Sequence, residues 1–152
     1  MATHVRGYFV GIVPGPPFSP ERRRKVEALT VQVGLARNSL DVNLIEPLLA
    51  TAVKYQSQDI TTALSGKDQV VDYLRERWPT IRKIAPDGDT GRMVLGSVDL
   101  PEATDHPCLI FEVGGQRQGL WALKVDEQGL VARIDILTVA PPPSAAVKVG
   151  DL

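Results

Sequence analysis

Glu112 and Arg117 are the two residues whose types and spacing most directly allow chemistry. They flank two glycines, and a two-residue hairpin turn there pairs them directly across neighbouring strands. A carboxyl group that is held away from bulk water can serve as a general acid or base. The ordinary alternative is a surface cross-strand ion pair, which contributes less than about 1 kcal/mol to stability. Glu112 is therefore the candidate catalytic residue, with Arg117 as its partner.

The other chemically capable residues are few. Tyr55 and Ser57 lie on a short predicted strand, where their hydroxyl groups can bind a polar group. Cys108 is the only cysteine, and no histidine is placed to activate its thiol, so we interpret it as a small core residue. His4 and His106 form no ligand-spaced cluster, so we expect them at the surface. We expect neither a metal nor a cofactor.

Composition and charge argue against several broad classes of protein. The net charge of the 152 residues is −1, which argues against a nucleic-acid-binding protein that relies on a strong basic field. A single cysteine allows no intramolecular disulfide and favours a cytoplasmic protein. The apolar segments are too short to span a membrane, and the N-terminal one lacks a signal-peptide cleavage pattern. We therefore expect a soluble protein with no nucleic-acid or membrane partner.

Three helices are predicted in the first half of the chain. The first begins at the N-cap Ser19 and carries apolar residues at helical spacing. The capping-box spacing of Asn43 and Glu46 predicts a second, short helix. A third is expected to follow Ser65 and to end at Pro79, because proline disfavours continuation of a helix.

The remaining pattern is that of strands separated by turn residues. An early strand at residues 52–57 is followed, after the third helix, by strands at residues 92–99, 108–113, 119–125 and 130–139. Helices followed mainly by an antiparallel meander predict an α+β fold. We divide the chain into an N-terminal arm (1–18), a domain (19–140) and a mobile, proline-rich C-terminal tail (141–152).

Residues 20–139 resemble a known superfamily in the order of their elements and in small motifs. The motifs are Val53-Lys54-Tyr55 on the early strand, Gly66-Lys67-Asp68 at the third helix and Gly129 to Ile134 at the last hairpin. The pattern is similar to the polyketide-cyclase-like (SnoaL-like) branch of the nuclear transport factor 2-like superfamily. The resemblance implies a cone-shaped, curved antiparallel sheet, cystatin-like, wrapped by three N-terminal helices around a pocket for small, mostly apolar molecules.

The resemblance supplies no complete catalytic set. The base and protonated-acid positions of the ketosteroid isomerases correspond to Ser57 and Trp121. A lone serine hydroxyl is too weak a base, and an indole N–H cannot shuttle protons. An aspartate of the limonene-epoxide hydrolases corresponds to Ile136, although Tyr55 keeps a tyrosine's place, and the histidine pair of scytalone dehydratase has no counterpart. Whether the protein is an enzyme is left open at this point.

Strand parity predicts which residues face the pocket. Directly opposed residues share a face, and a two-residue glycine turn opposes Cys108 to Trp121. With Trp121 facing inward, Cys108, Ile110 and Glu112 face inward as well, with Arg117 at the rim. The pocket is then mostly apolar, as small-molecule sites are. The predicted ligand-binding residues are Tyr55, Ser57, Trp78, Glu112, Arg117, Trp121, Ile134, Ile136 and Thr138.

Three functions are compatible with these residues. The first is a protein that binds a small hydrophobic molecule. The second is a cyclase, isomerase or hydrolase that uses Glu112 as acid or base, with Tyr55 orienting the substrate. The third is a non-catalytic dimeric assembly module whose pocket is vestigial. The volume and lining of the cone interior discriminate between them, because a pocket filled by its own side chains favours the third.

The residues predicted to face outward on the same strands are also apolar, which predicts a covered outer face. We expect a second copy of the chain to cover it, giving a homodimer. The alternative is that the N-terminal arm or the proline-rich tail folds back over this face. The predicted dimer surface consists of Leu109, Phe111, Leu120, Ala122, Arg133 and Asp135.

Overall fold

The computed structural model describes residues 18–58, 63–85, 88–101, 103–139 and 141–152. The predicted N-terminal arm therefore lies outside the described residues except for Phe18. None of the described helices is long and apolar enough to cross a membrane.

The described helices and strands combine into an α+β fold with a curved sheet. The helices are α1 (Pro20–Ser39), α2 (Val42–Ile45) and α3 (Lys67–Ile84). The strands are β1 (Leu49–Ser57), β2 (Leu64–Ser65), β3 (Arg92–Val98), β4 (His106–Val113), β5 (Gln116–Val125), β6 (Val131–Leu137) and β7 (Val147–Gly150). They form a seven-stranded sheet in the order β2-β1-β6-β5-β4-β3-β7. The predicted fold class is confirmed.

The sheet is mixed, which corrects the expectation of an antiparallel sheet. β1 pairs with β6 in parallel, with Tyr55 opposite Ile134 and Ser57 opposite Ile136. Parallel neighbours need a long crossover rather than a tight turn. Here α3 and the strands β3 to β5 lie between β1 and β6 in the chain, so the connection has the length that a parallel pair requires.

The helices begin and end where capping chemistry allows. The Ser19 hydroxyl accepts a hydrogen bond from the Arg22 N–H at 3.2 Å, as an N-cap should. α2 is capped by Asp41 rather than by the predicted Asn43–Glu46 box, because the Asp41 carboxylate accepts from the Asn43 N–H at 3.0 Å. α3 passes through Pro79, contrary to prediction. Pro79 is exposed, so water can bond to the carbonyl oxygen that its missing N–H leaves unpaired.

A bulge in the β4–β5 hairpin decides which residues face which side of the sheet. Gly114 and Gly115 both have positive φ, as a two-residue hairpin turn requires, and Glu112 lies opposite Arg117 as predicted. The register then shifts, because Gln118 is an extra residue on β5. Beyond the shift, Phe111 lies opposite Gly119 and Leu109 opposite Trp121. The predicted pairings of Cys108 with Trp121 and of Ile110 with Gly119 are therefore wrong by one residue.

The shift separates the buried residues into two apolar layers, one on each face of the sheet. We call the face toward α1 and α3 the concave face. Its layer includes Leu49, Val53, Tyr55, Met93, Leu109, Trp121, Leu123 and Ile134. The opposite, outer face has a layer that consists of Val94, Val98, Leu100, Cys108, Ile110, Leu120, Ala122, Leu137 and Ala146. Cys108 and Ile110 thus face outward, and Leu109 and Phe111 face inward, the reverse of the prediction.

Residues 141–152, which we call the C-terminal segment, lie on the sheet instead of forming the predicted mobile tail. β7 pairs antiparallel with β3 at the edge of the sheet. Ala146 is buried in the outer layer, and the Arg117 guanidinium donates to the carbonyl oxygens of Ala146 at 2.8 Å and Pro143 at 3.2 Å. The alternative considered for the proline-rich tail, that it folds back over the outer face, is what the structure has.

This covering removes the argument for the predicted dimer surface. Leu109 and Phe111 lie on the concave side, and Leu120 and Ala122 are buried within the single chain. Arg133 and Asp135 form an ion pair with each other, with the Arg133 Nε 2.9 Å from an Asp135 carboxylate oxygen. Their charges are therefore already compensated within one protomer.

Candidate functional site

A cavity of about 490 Å³ lies between α1, α3 and the concave face of the sheet. Its volume falls in the range of roughly 300–1,000 Å³ that is typical of small-molecule sites. α3 contributes one stripe of side chains at spacings of four, four and three residues, which places them on one side of a helix. The residues of this stripe are Tyr73, Arg77, Ile81 and Ile84.

Five aromatic side chains line the cavity, together with aliphatic ones. Tyr55 projects from β1, with its ring centroid 6.1 Å from that of Trp121 in an edge-to-face arrangement and 5.6 Å from that of Tyr73. Trp78 and Phe111 are the other two aromatic residues. These rings make the site suited to flat or ring-shaped apolar molecules.

Tyr55 is a hydrogen-bond donor rather than a base. Only 6% of the residue is exposed. Burial raises the pKa of its phenol well above the ordinary value of 10.0, and the neighbouring Tyr73 raises it further. The hydroxyl group therefore keeps its proton at neutral pH and can donate to an oxygen atom of a ligand.

Arg37 is a buried cation at this cavity. It lies on α1, where it continues the buried stripe of Val26, Leu29 and Val33, and is 4% exposed. Its Nη2 donates to the carbonyl oxygen of Thr90 at 2.9 Å, and its guanidinium carbon lies 4.9 Å from the centroid of the Phe111 ring. Its Nη1 is buried and has no hydrogen-bond partner among the residues that the structure describes. Burial lowers the pKa of Arg37, but a guanidinium group stays protonated at neutral pH.

Asp89 contributes a carboxylate to the cavity lining, but that carboxylate is engaged by the backbone. One of its oxygens accepts from the Gly91 N–H at 2.9 Å and the other from the Gly114 N–H at 2.8 Å. The residue thereby ties the start of β3 to the β4–β5 turn. In the described part of the chain, neither Arg37 nor Arg77 has a carboxylate within ion-pair distance.

Several solved structures share this arrangement of helices and sheet. A SnoaL-like protein of unknown function from Burkholderia thailandensis is 16% identical, with a TM-score of 0.57 over 88% of this chain and 99% of that one. A bacterial protein with a cystatin-like fold from Silicibacter pomeroyi is 16% identical, with a TM-score of 0.54 over 76% and 77% of the two chains. A proposed ketosteroid isomerase from Kribbella flavida is 17% identical, with a TM-score of 0.53 over 75% and 77%.

The chain has a cystatin-like α+β fold, as these structures do. This confirms the fold class that the resemblance in the sequence implied. No protein-family model and no curated protein sequence matches the chain. Since one fold supports many activities, the function has to be argued from the site.

Five of the nine predicted ligand-binding residues line the cavity. They are Tyr55, Trp78, Trp121, Ile136 and Thr138. Parity on β1 and β6 placed Tyr55 and Ile136 correctly because the parallel pairing of these strands is regular there. Thr138 follows β6 directly, and its backbone N–H donates to the Gln58 side-chain oxygen at 2.7 Å.

The other four predicted residues lie away from the cavity. Ser57 is buried beside Ile136 in the sheet, and Ile134 is fully buried in the concave layer, but neither lines the cavity. Glu112 and Arg117 are on the outer face, where Arg117 binds the C-terminal segment. The bulge at Gln118 is the reason, because parity counted through a regular hairpin places this pair on the same face as Trp121.

Arg37, Arg77 and Phe111 are the cavity residues that matter most among those that the prediction missed. Arg37 had a readable signal: it comes four residues after Val33 and falls on the apolar stripe of α1. A charged residue on a buried stripe is unusual enough to mark a site. Phe111 had no such signal, since its inward direction depends on the bulge.

Cys108 and His106, the other chemically capable residues, are buried in the fold away from the cavity lining. Cys108 is fully buried in the outer layer, and burial raises the pKa of its thiol to about 12. His106 is buried, contrary to the prediction of a surface position, with its ring 5.0 Å from that of Phe18 and its Nδ1 2.7 Å from the Pro107 carbonyl oxygen. Among the described residues, no group of three or more His, Cys, Asp or Glu side chains could hold a metal ion.

Proposed function

We propose that this protein binds a small, mostly apolar molecule in the cavity between α1, α3 and the concave face. The observation that carries the proposal is the open space of about 490 Å³ next to the aromatic rings of Tyr55, Phe111 and Trp121. Apolar walls with a few polar groups are typical of small-molecule sites. One similar structure is that of a proposed ketosteroid isomerase, which is a second, weaker argument for a ring-shaped ligand.

The open cavity argues against the third alternative, a non-catalytic assembly module, because that alternative predicts a pocket filled by the protein's own side chains. The enzyme alternative that uses Glu112 loses its geometric support, because Glu112 lies on the outer face. Tyr55 remains at the cavity, but its raised pKa makes it a donor and not a proton acceptor. The residues therefore favour binding over acid–base catalysis.

A thermal-shift screen tests the proposal. A panel of steroids, terpenoids and polyketides is added at saturating concentration, and a ligand at 100 times its Kd stabilises the fold by about 2.7 kcal/mol. For a chain of this length the melting temperature then rises by roughly 5–10 °C. A panel without any stabilising compound contradicts the proposal.

A cavity-filling variant makes the screen specific for this site. Ile136 lies on β6 opposite Trp121 and lines the cavity. Ile136→Trp is expected to abolish the ligand-induced shift, because the indole occupies the space of the ligand. Ile136→Val is the matched control and should keep the shift, since it removes only a methylene group. A full shift in Ile136→Trp would show that the compound binds elsewhere.

The homodimer and the cytoplasmic location stay predictions. The apolar residues of the outer face, Leu120 and Ala122 among them, are already buried within the single chain, so a dimer would need a different surface from the one first predicted. Sedimentation at micromolar concentration tests the dimer, and a single monomeric species would contradict it. The cytoplasmic location still depends on the single cysteine alone.

A further inference from the structure

The charged side chains at the cavity are two guanidinium groups and one carboxylate that the backbone already engages. Arg37 and Arg77 contribute two guanidinium groups, and Tyr55 contributes a phenol that keeps its proton. The carboxylate of Asp89 already accepts two backbone N–H bonds. A ligand that presents acceptors, above all a negatively charged one, therefore complements this lining better than a neutral or cationic ligand.

Arg37 carries a positive charge that the described residues leave uncompensated. Arg37 is almost fully buried, and within the described part of the chain it has no carboxylate partner and its Nη1 has no hydrogen-bond partner. A buried charge without a partner costs folding free energy, and a buried donor without an acceptor adds to that cost. Chains seldom keep such a residue on the apolar stripe of a helix, where a leucine or methionine packs without this penalty.

The guanidinium group is also held in position before any ligand arrives. The bond from Nη2 to the Thr90 carbonyl oxygen fixes one side, and the ring of Phe111 lies against the group at 4.9 Å. A positioned guanidinium loses little conformational entropy when it binds, and its planar donors match the two oxygens of a carboxylate.

We propose that the ligand is an apolar ring compound with one carboxylate, and that Arg37 binds this carboxylate while Arg77 adds to the attraction. The inference rests on the proposed function, because it names the chemical class of the molecule in the same cavity. A single carboxylate suits the site better than a phosphate group, since the aromatic walls favour a ligand with little charge to desolvate.

Matched pairs of acids and amides test the proposal. Isothermal titration calorimetry on the full chain measures the binding of three acids: benzoate, naphthalene-2-carboxylate and anthracene-2-carboxylate. The carboxamide of each acid is titrated in parallel. The two members of a pair share the ring and nearly the same shape and differ in charge. For the acid that fits best, we expect binding roughly 10- to 100-fold tighter than for its amide, as a charge-assisted hydrogen bond provides.

Variants assign this preference to Arg37. Arg37→Met should reduce the acid–amide ratio to about one while it leaves amide binding intact. Arg77→Gln should lower the ratio by only about two- to fivefold, because Arg77 is exposed and its charge is screened by water. Arg24→Met, on the exposed side of the same helix, removes an equal charge and should leave the ratio unchanged.

The melting temperature of the unliganded protein separates a ligand-binding role from a structural one. Arg37→Met should melt within about 3 °C of the wild type, because the loss of the Thr90 bond is offset by removal of an unpaired buried charge. A fall of more than about 10 °C would instead indicate that Arg37 serves the fold. Even then, the acid–amide ratio of the wild type and the effect of Arg77→Gln decide the proposal.

The outcomes distinguish this inference from the function on which it rests. Equal binding of acid and amide overturns the carboxylate inference and leaves a neutral-ligand site intact. An acid preference that persists in Arg37→Met overturns the role of Arg37. Failure of all six compounds to bind, together with a steroid, terpenoid and polyketide panel that gives no thermal shift, overturns both proposals.

Discussion

The two faces of the sheet bury apolar side chains of the same strands, but they are covered in different ways. The concave face is covered by helices. A helix contacts a curved sheet only along one stripe of side chains, and the cavity lies beside that stripe. On the outer face, the C-terminal segment packs against the strands through a short 3₁₀ turn (Pro143–Ala145), and Ala146 is buried among side chains of β4 and β5. The helices on the concave face leave a cavity, whereas the segment on the outer face packs directly against the strands.

The polar groups on the two faces differ in the same sense. On the outer face, the Arg117 guanidinium donates to two backbone carbonyl oxygens of the C-terminal segment, so its charge-assisted bonds stabilise the fold. On the concave face, Arg37 makes one such bond and keeps a buried nitrogen without a partner. The Arg117 guanidinium thus stabilises the fold, whereas the Arg37 guanidinium keeps a donor that the described residues leave unpaired.

The largest expected effect comes from opening space on the outer face. Leu120 is fully buried there, and Leu120→Ala should lower the free energy of unfolding by roughly 2–5 kcal/mol through lost burial and a new cavity. The matched change on the concave side, Ile136→Ala, should cost only about 1–2 kcal/mol, because Ile136 is half-buried and already borders open space. Urea denaturation measures both. Equal losses of unfolding free energy in the two variants would contradict the view that the outer face is tightly packed and the concave face borders a cavity.

An alkaline titration compares one buried ionisable group from each face. Cys108 and Tyr55 have folded-state pKa values above their ordinary values of 9.0 and 10.0, so the folded state holds these protons longer than the unfolded state does. Stability is therefore lost as the pH rises above about 9, at up to about 1.4 kcal/mol per pH unit for each group.

Each group can be removed separately. Between pH 7 and about pH 10.5, Cys108→Ala should lose about 2 kcal/mol less stability than the wild type, and Tyr55→Phe about 0.7 kcal/mol less. Urea denaturation at the two pH values measures this difference. Variant profiles that run parallel to the wild-type profile would mean that water reaches these groups in the folded state.

The smallest effect concerns the attachment of the C-terminal segment. Arg117→Ala removes the two bonds to Pro143 and Ala146 and should cost about 1–2 kcal/mol, with faster hydrogen exchange confined to residues 141–152. Arg117→Lys keeps the charge, but its side chain is shorter and lacks the planar guanidinium, so it should fall between the wild type and the alanine variant. Unchanged exchange in Arg117→Ala would show that burial of Ala146 and the β7 pairing hold the segment without this residue.

Local chemistry made much of the fold predictable from the sequence. Ser19 caps α1, the two glycines form the β4–β5 turn, and Glu112 lies opposite Arg117, because each of these features depends only on residues close in the chain. Pro79 shows the limit of such reasoning. A proline disfavours a helix locally, yet α3 continues past it to Ile84, and Ile81 beyond the proline packs against the core.

The candidate site was only partly predictable, since it combines distant segments. Tyr55 and Ile136 could be placed by strand parity because their strands pair regularly. Glu112 was placed on the wrong face because one extra residue, Gln118, reverses parity for the rest of the hairpin. A bulge of this kind is favoured by packing on both faces of the sheet, which the sequence of a single strand does not report.

The sequence by itself determined the class of fold, the order of its helices and most strands, and the presence of apolar residues on both faces of the hairpin. Only the tertiary structure decided which apolar set faces the helices, what covers the other set, and where the charges of Arg37 and Arg117 lie. The physical reason is the distance along the chain over which the interactions act. Capping, turns and periodicity act over a few residues, whereas the cavity exists only where α1, α3, β1, β5 and β6 meet. The environment of Arg37 is likewise set by folding: among the described residues that folding brings around it, no carboxylate pairs with it.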